Sequence, residues 1–392
     1  MKKTGSRSPL LAAAFLMATS AIGPGFLTQT AVFTSRLKAS FGFIILCSVL
    51  LDLGAQLNIW RVLSVTGLRG QELGNRLMPG LGHVLTVMIV AGGLAFNIGN
   101  LAGAGLGLNV LTGLSPESGA AISAGIAIFI FLLRDALQWM DVFAKALGLV
   151  MIALVLYVVF QSRPPLGQAA LRFIMPEQVD YRAILTLVGG TVGGYISFAG
   201  AHRLLDAGAI GAAARATVDR SAFSAILLAS LMRVLLFLAA LGVVSKGFEL
   251  AANNPAASVF QFASGAYGYK IFGIVMWSAA ITSVIGSTYT SLSFLQSLNG
   301  AIGRNRPIIK VAFILLSLFI FWWVGQPVRT LVFVGLLNAF VLPLALGMVL
   351  TAAHRPSMVG AYRHPVWMTV LGAMVLAATL WFGVSAILTQ FN

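Results

Sequence analysis

The chain has 392 residues, of which 59% are hydrophobic and only 9% are charged. Soluble globular domains carry about 25% charged residues, so this composition excludes a water-soluble globular protein. The formal net charge is +15, but the basic residues form no run interleaved with aromatic residues, which argues against nucleic-acid binding. We therefore expect an integral membrane protein whose basic residues contact anionic lipid headgroups.

Apolar segments of about 20 residues recur along the chain, the length that crosses a bilayer core at about 1.5 Å per residue. Because lipid cannot pair open backbone groups, these segments are predicted to be helices. Eleven spans are predicted, at about residues 10–34, 41–63, 81–110, 119–133, 139–160, 183–202, 221–244, 271–298, 308–324, 330–352 and 366–389. The predicted fold class is all-α integral membrane, with one transmembrane domain over residues 1–392.

The distribution of Lys and Arg predicts the orientation. With the N-terminus in the cytoplasm, 16 basic residues fall on the inner side and eight on the outer side, and Arg233 lies inside a span. Cytoplasmic loops are enriched in Lys and Arg, so we expect the N-terminus inside and the C-terminus outside the cell (inner) membrane. A cleaved signal peptide ending near Ala21 is the alternative for the first 25 residues, but helix-like sequence continues past that point.

Two spans contain helix-breaking residues at their midpoints. In span one Pro24 lacks a backbone donor and stands between two glycines, and span six contains two Gly-Gly pairs. Unwound turns expose amides and carbonyls that bind solutes in transporters. The residues predicted to bind a solute are Gly23, Pro24, Gly25 and Phe26 in span one, Gly193, Gly194 and Tyr195 in span six, and Asn338 in span ten.

Breaks at matching positions in two halves of a chain are typical of inverted-repeat transporters. We expect a first repeat at about residues 10–160, a second at about 181–352, and an extra helix at about 366–389. The alternative is that the glycines only allow helices to pack closely, which we expect for Gly99, Gly103 and Gly107 in span three.

Short motifs along almost the whole chain resemble the NRAMP metal transporters, which have the leucine-transporter-like fold. The matching stretches are Gly23-Pro24-Gly25, Val65-Thr66-Gly67, Leu108-Asn109-Val110-Leu111, Thr191-Val192, Thr288-Tyr289 and Leu342-Pro343. The resemblance implies a five-plus-five inverted repeat with one added helix, in which helices one and six are broken at mid-membrane.

The metal-binding residues of that family are missing from this sequence. In span one the family's Asp and Asn match Gly23 and Phe26, and in span six its Met-Pro-His-Asn matches Gly193, Gly194, Tyr195 and Ile196. The family's acidic pair of span three matches Asn97 and Asn100, and its glutamine of span ten matches Gly335. Transition metals need charged or soft ligands, so we expect no metal site. Asn97 and Asn100 can instead line a polar path, or join helices by hydrogen bonds.

Two charged residues lie deep inside spans, Asp52 in span two and Arg233 in span seven. A charge at the bilayer centre costs about 2.5–3.5 kcal/mol on insertion scales, so each needs a partner. The two spans are symmetry mates in the resembling fold, and an Asp52–Arg233 ion pair is one expectation. The other is that Arg233 helps to bind an anionic substrate.

Span eight carries a row of hydroxyl residues. In folds related to the resembling family, such hydroxyls and carbonyls of the broken first span form a sodium site. The corresponding residues here are Thr282 and Ser283, with the carbonyls near Ala21 and Pro24. The alternative is that these hydroxyls bond their own helix or a neighbouring one.

The sequence favours a secondary active transporter over an enzyme or a channel, because it has paired helix breaks and no catalytic motif. We expect the solute to be a small organic anion or an amino-acid-like molecule. NRAMP-like proteins without the metal motif are associated with lactam-hydrolysing enzymes in bacteria, which makes 5-oxoproline the named candidate. A carrier of Mg²⁺ or a similar divalent cation is the alternative, and a non-metal channel is the third hypothesis. We expect no cofactor beyond Na⁺ or H⁺ as coupling ion, and a functional monomer.

Overall fold

The computed structural model describes residues 13–14, 17–18, 20–132, 136–296 and 306–388, and these residues form helices and connecting turns. The predicted start of span one, the end of span eight after residue 296 and residue 389 of the last span lie outside this part of the chain. The helices are α1 (Pro24–Leu37), α2 (Phe41–Thr66), α3 (Gly70–Leu77), α4 (Leu81–Thr112), α5 (Pro116–Leu132), α6 (Ala136–Ser162), α7 (Leu166–Ile174), α8 (Tyr181–Thr191), α9 (Ile196–Asp206), α10 (Arg215–Val244), α11 (Pro255–Leu295), α12 (Arg306–Val324), α13 (Pro327–Ala339), α14 (Val341–Ala353), α15 (Pro356–Val359) and α16 (Val366–Leu388).

Eight helices in the described residues are long and apolar enough to cross a membrane, or nine if the bent pair Gly148–Ser162 and Leu166–Ile174 is one span. The predicted number of eleven is therefore not confirmed. Pro24–Thr66 counts as a single stretch of 43 residues although it covers two predicted spans. Pro116–Leu132 has 17 residues, fewer than the roughly 20 that cross a bilayer core upright.

Span one is broken, but over fewer residues than predicted. Only Gly23 of the Gly-Pro-Gly motif has an extended backbone, with φ −70° and ψ 177°, while Pro24 and Gly25 already belong to α1. Pro24 is the first helical residue, a position that suits proline because the missing N–H has no helical partner there and the fixed φ is already helical.

Span six is divided into α8 and α9 by the turn 192–195. Gly194 adopts φ +60°, a left-handed conformation that glycine takes without the steric cost of a Cβ atom. The sequence therefore places the break correctly. In span ten, α13 and α14 are separated only by Phe340, whose φ −70° and ψ −16° are helical, so Pro327–Ala353 forms one candidate span.

The glycines of α4 allow this helix to lie close to α1 and α11. A Cβ atom at Gly103 would lie 2.1 Å from Cβ of Pro24, and one at Gly107 would lie 2.6 Å from the backbone nitrogen of Trp277. At Gly99 the nearest atom is Cδ2 of Leu331, at 3.3 Å. The packing role expected for these three glycines is confirmed, and it brings α4 beside the break in span one.

Candidate functional site between the broken helices

Asn100 of α4 lies beside both helix breaks. Its Oδ1 would be 3.5 Å from a Cβ atom at Gly23, so it faces the break in span one. The hydroxyl of Tyr195, in the break of span six, lies near the side chains of Ser20 and Asn100 without a regular hydrogen bond. The ring of Tyr195 packs edge-on against Phe96 of α4, with ring centroids 5.1 Å apart. The two breaks therefore approach each other across α4.

Several buried polar atoms around the breaks have no hydrogen-bond partner in the described part of the chain. Buried polar groups are nearly always paired, so such a cluster marks a place for a ligand or for water. The atoms are Oγ of Ser20, Oε1 of Gln29, Nδ2 of Asn100, the hydroxyl of Tyr195 and Oδ1 of Asn338. The set offers both donors and acceptors, and all its side chains are uncharged.

Gln29 was not predicted from the sequence. It lies four residues after Gly25 and therefore on the same face of α1, a spacing that would have identified it. Its Nε2 donates to the carbonyl of Leu331 at 3.1 Å. A Cβ atom at Gly190 would lie 2.8 Å from its Oε1, and one at Gly335 would lie 2.4 Å from its Nε2. The two glycines therefore make room for the Gln29 amide between α8 and α13. Ser20 was missed as well, because serine occurs too often in membrane helices to be a signal.

Asn338 joins three elements at the site. Its Nδ2 donates to the carbonyls of Gly92 at 3.2 Å and Val334 at 3.0 Å. Its Oδ1 would be only 2.0 Å from a Cβ atom at Gly194, so the turn 192–195 lies directly against the amide. Asn338, predicted to bind a solute, therefore lies beside Gly194 of the same predicted set, and its role in binding stays a prediction.

The other predicted solute-binding residues differ in their surroundings. Phe26 is buried in the apolar core, and Pro24 packs on Gly103. A Cβ atom at Gly25 would lie 3.6 Å from the carbonyl oxygen of Leu331, an ordinary contact, so the protein itself does not require glycine there. Gly193 packs tightly, because a Cβ atom would lie 2.5 Å from the carbonyl oxygen of Asn338.

The predicted ion-coupling residues are only partly brought together. The hydroxyl oxygen of Ser283 would be 2.9 Å from a Cβ atom at Gly23, so Ser283 lies at the break in span one. Ala21, two residues before Gly23, is buried. The hydroxyl of Thr282 donates within α11, to the carbonyls of Ser278 at 3.1 Å and Ala279 at 3.0 Å. This is the alternative expected for span-eight hydroxyls, and an ion site at Ser283 stays a prediction.

Asn97, one turn before Asn100, serves a different purpose. Its Oδ1 accepts from the hydroxyl of Ser287, and its Nδ2 donates to the hydroxyl of Thr288 at 3.1 Å. Both groups of the amide therefore join α4 to α11. The geometry fits the interhelical alternative for Asn97, while Asn100 faces the breaks.

Asp52 and Arg233 form a buried ion pair between α2 and α10. Nη2 of Arg233 donates to Oδ2 of Asp52 at 3.0 Å, and both side chains are at most 1% exposed. Nε2 of Gln56 donates to the other carboxylate oxygen at 2.6 Å. Nε and Nη1 of Arg233 have no partner in the described residues. The pair satisfies the need for a counter-charge inside the bundle.

The two ends of the bundle differ. At the end predicted to face the cytoplasm, Asp206 at the end of α9 accepts from both Arg69 and Tyr289 of α11, and Arg69 also donates to Ser293 at 2.5 Å. At the opposite end a vestibule of about 650 Å³ lies between the end of α4, the start of α5 and the start of α13, next to Asn109 and Arg329. Ionic and hydroxyl contacts therefore join helices at the first end, and a cavity opens at the second.

Comparison with known proteins identifies the family. The family model for natural resistance-associated macrophage protein-like (Nramp) proteins matches residues 14–389. The chain belongs to the Nramp family. It is 55% identical over 389 residues to the membrane protein YcsG of Bacillus subtilis, with 99% of this chain and 96% of YcsG covered. A membrane protein of Haemophilus influenzae is 56% identical over 373 residues, with 95% of this chain and 94% of that protein covered.

Solved structures share the Nramp fold at low sequence identity. The Eremococcus coleocola manganese transporter, in complex with an aromatic bis-isothiourea compound, superposes with a TM-score of 0.81 at 17% identity, covering 97% of this chain and 87% of that one. MhsT in complex with L-phenylalanine superposes with a TM-score of 0.61 at 17% identity, covering 97% and 99% of the two chains. These matches confirm the expected leucine-transporter-like architecture.

Proposed function

We propose that this Nramp-family transporter is a secondary active carrier of a small organic anion or amino-acid-like solute, and that it does not carry transition metals. The observation that carries the proposal is the cluster of uncharged, buried and unpaired polar atoms between the two breaks. Such groups bind an organic molecule by hydrogen bonds and leave the charge of a metal ion uncompensated.

The chemistry of the site argues against a divalent transition metal. Gly23, Phe26, Gly193 and Ile196 stand where the family's metal ligands are expected, and none of them offers a charged or soft side chain. Within the described residues no group of three or more His, Cys, Asp or Glu side chains is arranged to hold a metal ion. The Eremococcus protein transports manganese by its description, but a shared fold at 17% identity does not transfer its cargo.

Two helix N-termini at the breaks suit a carboxylate. α1 begins after Gly23 and α9 begins after Tyr195, both without a side-chain cap and without an acidic residue in the first turn. Phe26 donates its N–H to the carbonyl of Gly23, and Ile196 and Phe198 donate to the carbonyls of Gly193 and Tyr195. The positive ends of the two helix dipoles favour an anion. The C-terminal end of α8 at Thr191 presents carbonyls instead, which suits a coupling cation such as Na⁺.

The remaining polar atoms suit the body of the solute. In 5-oxoproline a lactam N–H and a lactam carbonyl accompany one carboxylate. The carbonyl oxygens of Gln29 and Asn338 can accept from the N–H, and the amide of Asn100 or the hydroxyl of Tyr195 can donate to the carbonyl. MhsT binds L-phenylalanine in the same fold, so an amino-acid-sized solute is compatible with this architecture.

Transport into proteoliposomes tests the proposal. Purified protein is reconstituted and supplied with radiolabelled 5-oxoproline, other small carboxylates and amino acids, or with Mn²⁺, Fe²⁺ and Mg²⁺, under imposed Na⁺ and pH gradients. We expect saturable uptake with counterflow for an organic solute and none for Mn²⁺ or Fe²⁺. Saturable uptake of a divalent cation, with no response to any carboxylate, would refute the proposal. Uptake without saturation or counterflow would indicate a channel.

A further inference from the structure

An apolar groove runs along the outside of the bundle, far from the vestibule. It lies between α14, α16 and the segment that joins α3 to α4, and it has a volume of about 670 Å³. One end lies at Phe340, between α13 and α14, and the other at Arg355, just beyond α14. Gly347 opens the middle of the groove, since a Cβ atom there would meet only Cδ2 of Leu376, at 3.9 Å.

The length of the groove equals the depth of one membrane leaflet. α14, which forms one wall of the groove between Phe340 and Arg355, has 13 residues and is about 20 Å long at 1.5 Å per residue. Half of a bilayer, including its headgroups, measures about 20–22 Å. The groove therefore extends from the middle of the membrane to the headgroup level on the side where Arg355 lies. An acyl chain has the shape and polarity to fill it.

The headgroup end of the groove is positively charged. Arg355 is exposed, and one Nη donates to the carbonyl of Leu77 at 3.3 Å, which holds the guanidinium over the groove mouth. Arg76, also exposed, precedes Leu77 in the chain. Acidic residues are absent from the described residues that line the groove. A basic group at the end of an apolar channel is the complement of a phosphate-bearing lipid.

We propose that this groove binds one anionic phospholipid of the leaflet on the Arg355 side, with an acyl chain along α14 and the phosphate at Arg355. The lipid reaches Phe340, two residues after Asn338, whose amide contacts the break of span six. The inference does not depend on which solute the protein carries.

Retention of lipid by the purified protein tests the proposal. Protein extracted in mild detergent is incubated with phosphatidylglycerol or with phosphatidylcholine of the same chain length, and bound lipid is counted by native mass spectrometry. Gly347→Phe fills the groove and Arg355→Gln removes its charge. Matched controls are Gly125→Phe, at an exposed glycine of α5 with no atom within 4 Å of a Cβ, and Arg363→Gln, a basic residue outside the groove.

We expect wild-type protein to retain one phosphatidylglycerol in preference to phosphatidylcholine, and both groove variants to lose this preference by about fivefold or more. The controls and Arg355→Lys should keep it. If Gly347→Phe fails to fold, Gly347→Leu replaces it. Equal retention of the two lipids, or equal loss in Gly125→Phe, would overturn the proposal. Competition by inorganic phosphate or glycerol phosphate alone would show that the site binds phosphate without needing the acyl chain, and would also overturn it.

Discussion

Two asparagines of α4, one turn apart, have different hydrogen-bond partners. Asn97 uses its amide to join α4 to α11, whereas Asn100 presents an unpaired Nδ2 to the helix breaks. The sequence alone does not distinguish them, since both match the same pair of family positions. Only the rotation of α4 in the bundle decides which one faces the solute path.

Alanine at each position separates packing from binding. Asn97→Ala leaves Ser287 and Thr288 without their partner and should lower the free energy of unfolding by about 1–3 kcal/mol. Asn100→Ala should leave stability nearly unchanged and weaken solute binding about tenfold, the effect of one lost hydrogen bond of about 1.4 kcal/mol. Thermal unfolding in detergent, with and without 5-oxoproline, measures both. The reverse pattern would show that Asn97 faces the solute.

Single and double substitution of the Asp52–Arg233 pair should change the free energy of unfolding by very different amounts. Asp52→Asn leaves a buried guanidinium without a counter-charge and should destabilise the protein by about 3–5 kcal/mol. Asp52→Leu combined with Arg233→Met removes both charges, and should recover most of the stability. Denaturant unfolding followed by tryptophan fluorescence gives the comparison.

The double variant also tests the binding role of Arg233. If the pair only stabilises the bundle, the double variant should transport solute at close to the wild-type rate. A stable double variant that has lost affinity for carboxylates would show that Arg233 contacts the substrate.

His364, in the turn before α16, should make stability depend on pH. Burial, followed by the nearby His354 and Arg61, lowers the pKa of His364 to about 4. Its Nε2 lies 2.8 Å from Oδ1 of Asn58, and its Nδ1 lies 2.9 Å from the hydroxyl of Tyr362. The unfolded chain takes up this proton near pH 6.5, and the folded protein only near pH 4, so stability should fall as the pH drops from 6.5 to 4.

A titration of the melting temperature against pH checks this expectation. His364→Gln removes the titrating group and should flatten the profile between pH 6.5 and 4. His83→Gln is the matched control, because His83 lies at another position in the chain, near the start of α4. An unchanged slope in His364→Gln would assign the pH dependence to other groups.

At the level of whole helices, the sequence predicted the breaks in spans one and six because glycine and proline act locally. It extended the break of span one to Gly25, although proline at the first helical position already continues into α1. Gln29 was missed because its importance lies in the space that Gly190 and Gly335 leave for it.

Alanine substitution at the breaks tests their role in transport. Gly194→Ala puts a Cβ atom on a residue with φ +60°, 2.0 Å from Oδ1 of Asn338, so Asn338 must move. We expect folded protein with uptake at least tenfold lower. Gly25→Ala fits the protein without a clash, so a loss of uptake there would indicate that the solute itself approaches the α1 backbone. Normal uptake by Gly194→Ala would remove the turn 192–195 from the mechanism.

For the whole molecule, composition was enough to predict a helical membrane protein, and the order of short motifs was enough to predict the family fold. The number of spans was less secure, because a 17-residue helix and a bent helix pair do not fit a uniform span length. The predicted orientation depends on Lys and Arg alone. The cluster of Arg69, Asp206 and Tyr289 could not be predicted, since its members lie far apart in the chain.

Cysteine labelling tests the predicted orientation. The chain has one cysteine, so Cys47→Ser gives a cysteine-free background. Ser115→Cys lies in the exposed turn between α4 and α5, and Ser357→Cys lies in the exposed segment after α14. With the N-terminus inside, a membrane-impermeant maleimide should label the first in intact cells and the second only after permeabilisation. The opposite result would invert the topology.

The neutrality of the buried ion pair has an electrical consequence. Asp52 and Arg233 are the only fully buried Asp, Glu, Lys or Arg side chains in the described part of the protein, and their charges cancel. An uncompensated charge carried across the membrane would exchange about 2.3 kcal/mol with the field per 100 mV. Because the two fully buried charges in the described residues cancel, we expect the voltage dependence of transport to come from the cargo. One carboxylate moving with one Na⁺ would be insensitive to an imposed potential, whereas a divalent metal would be driven by it.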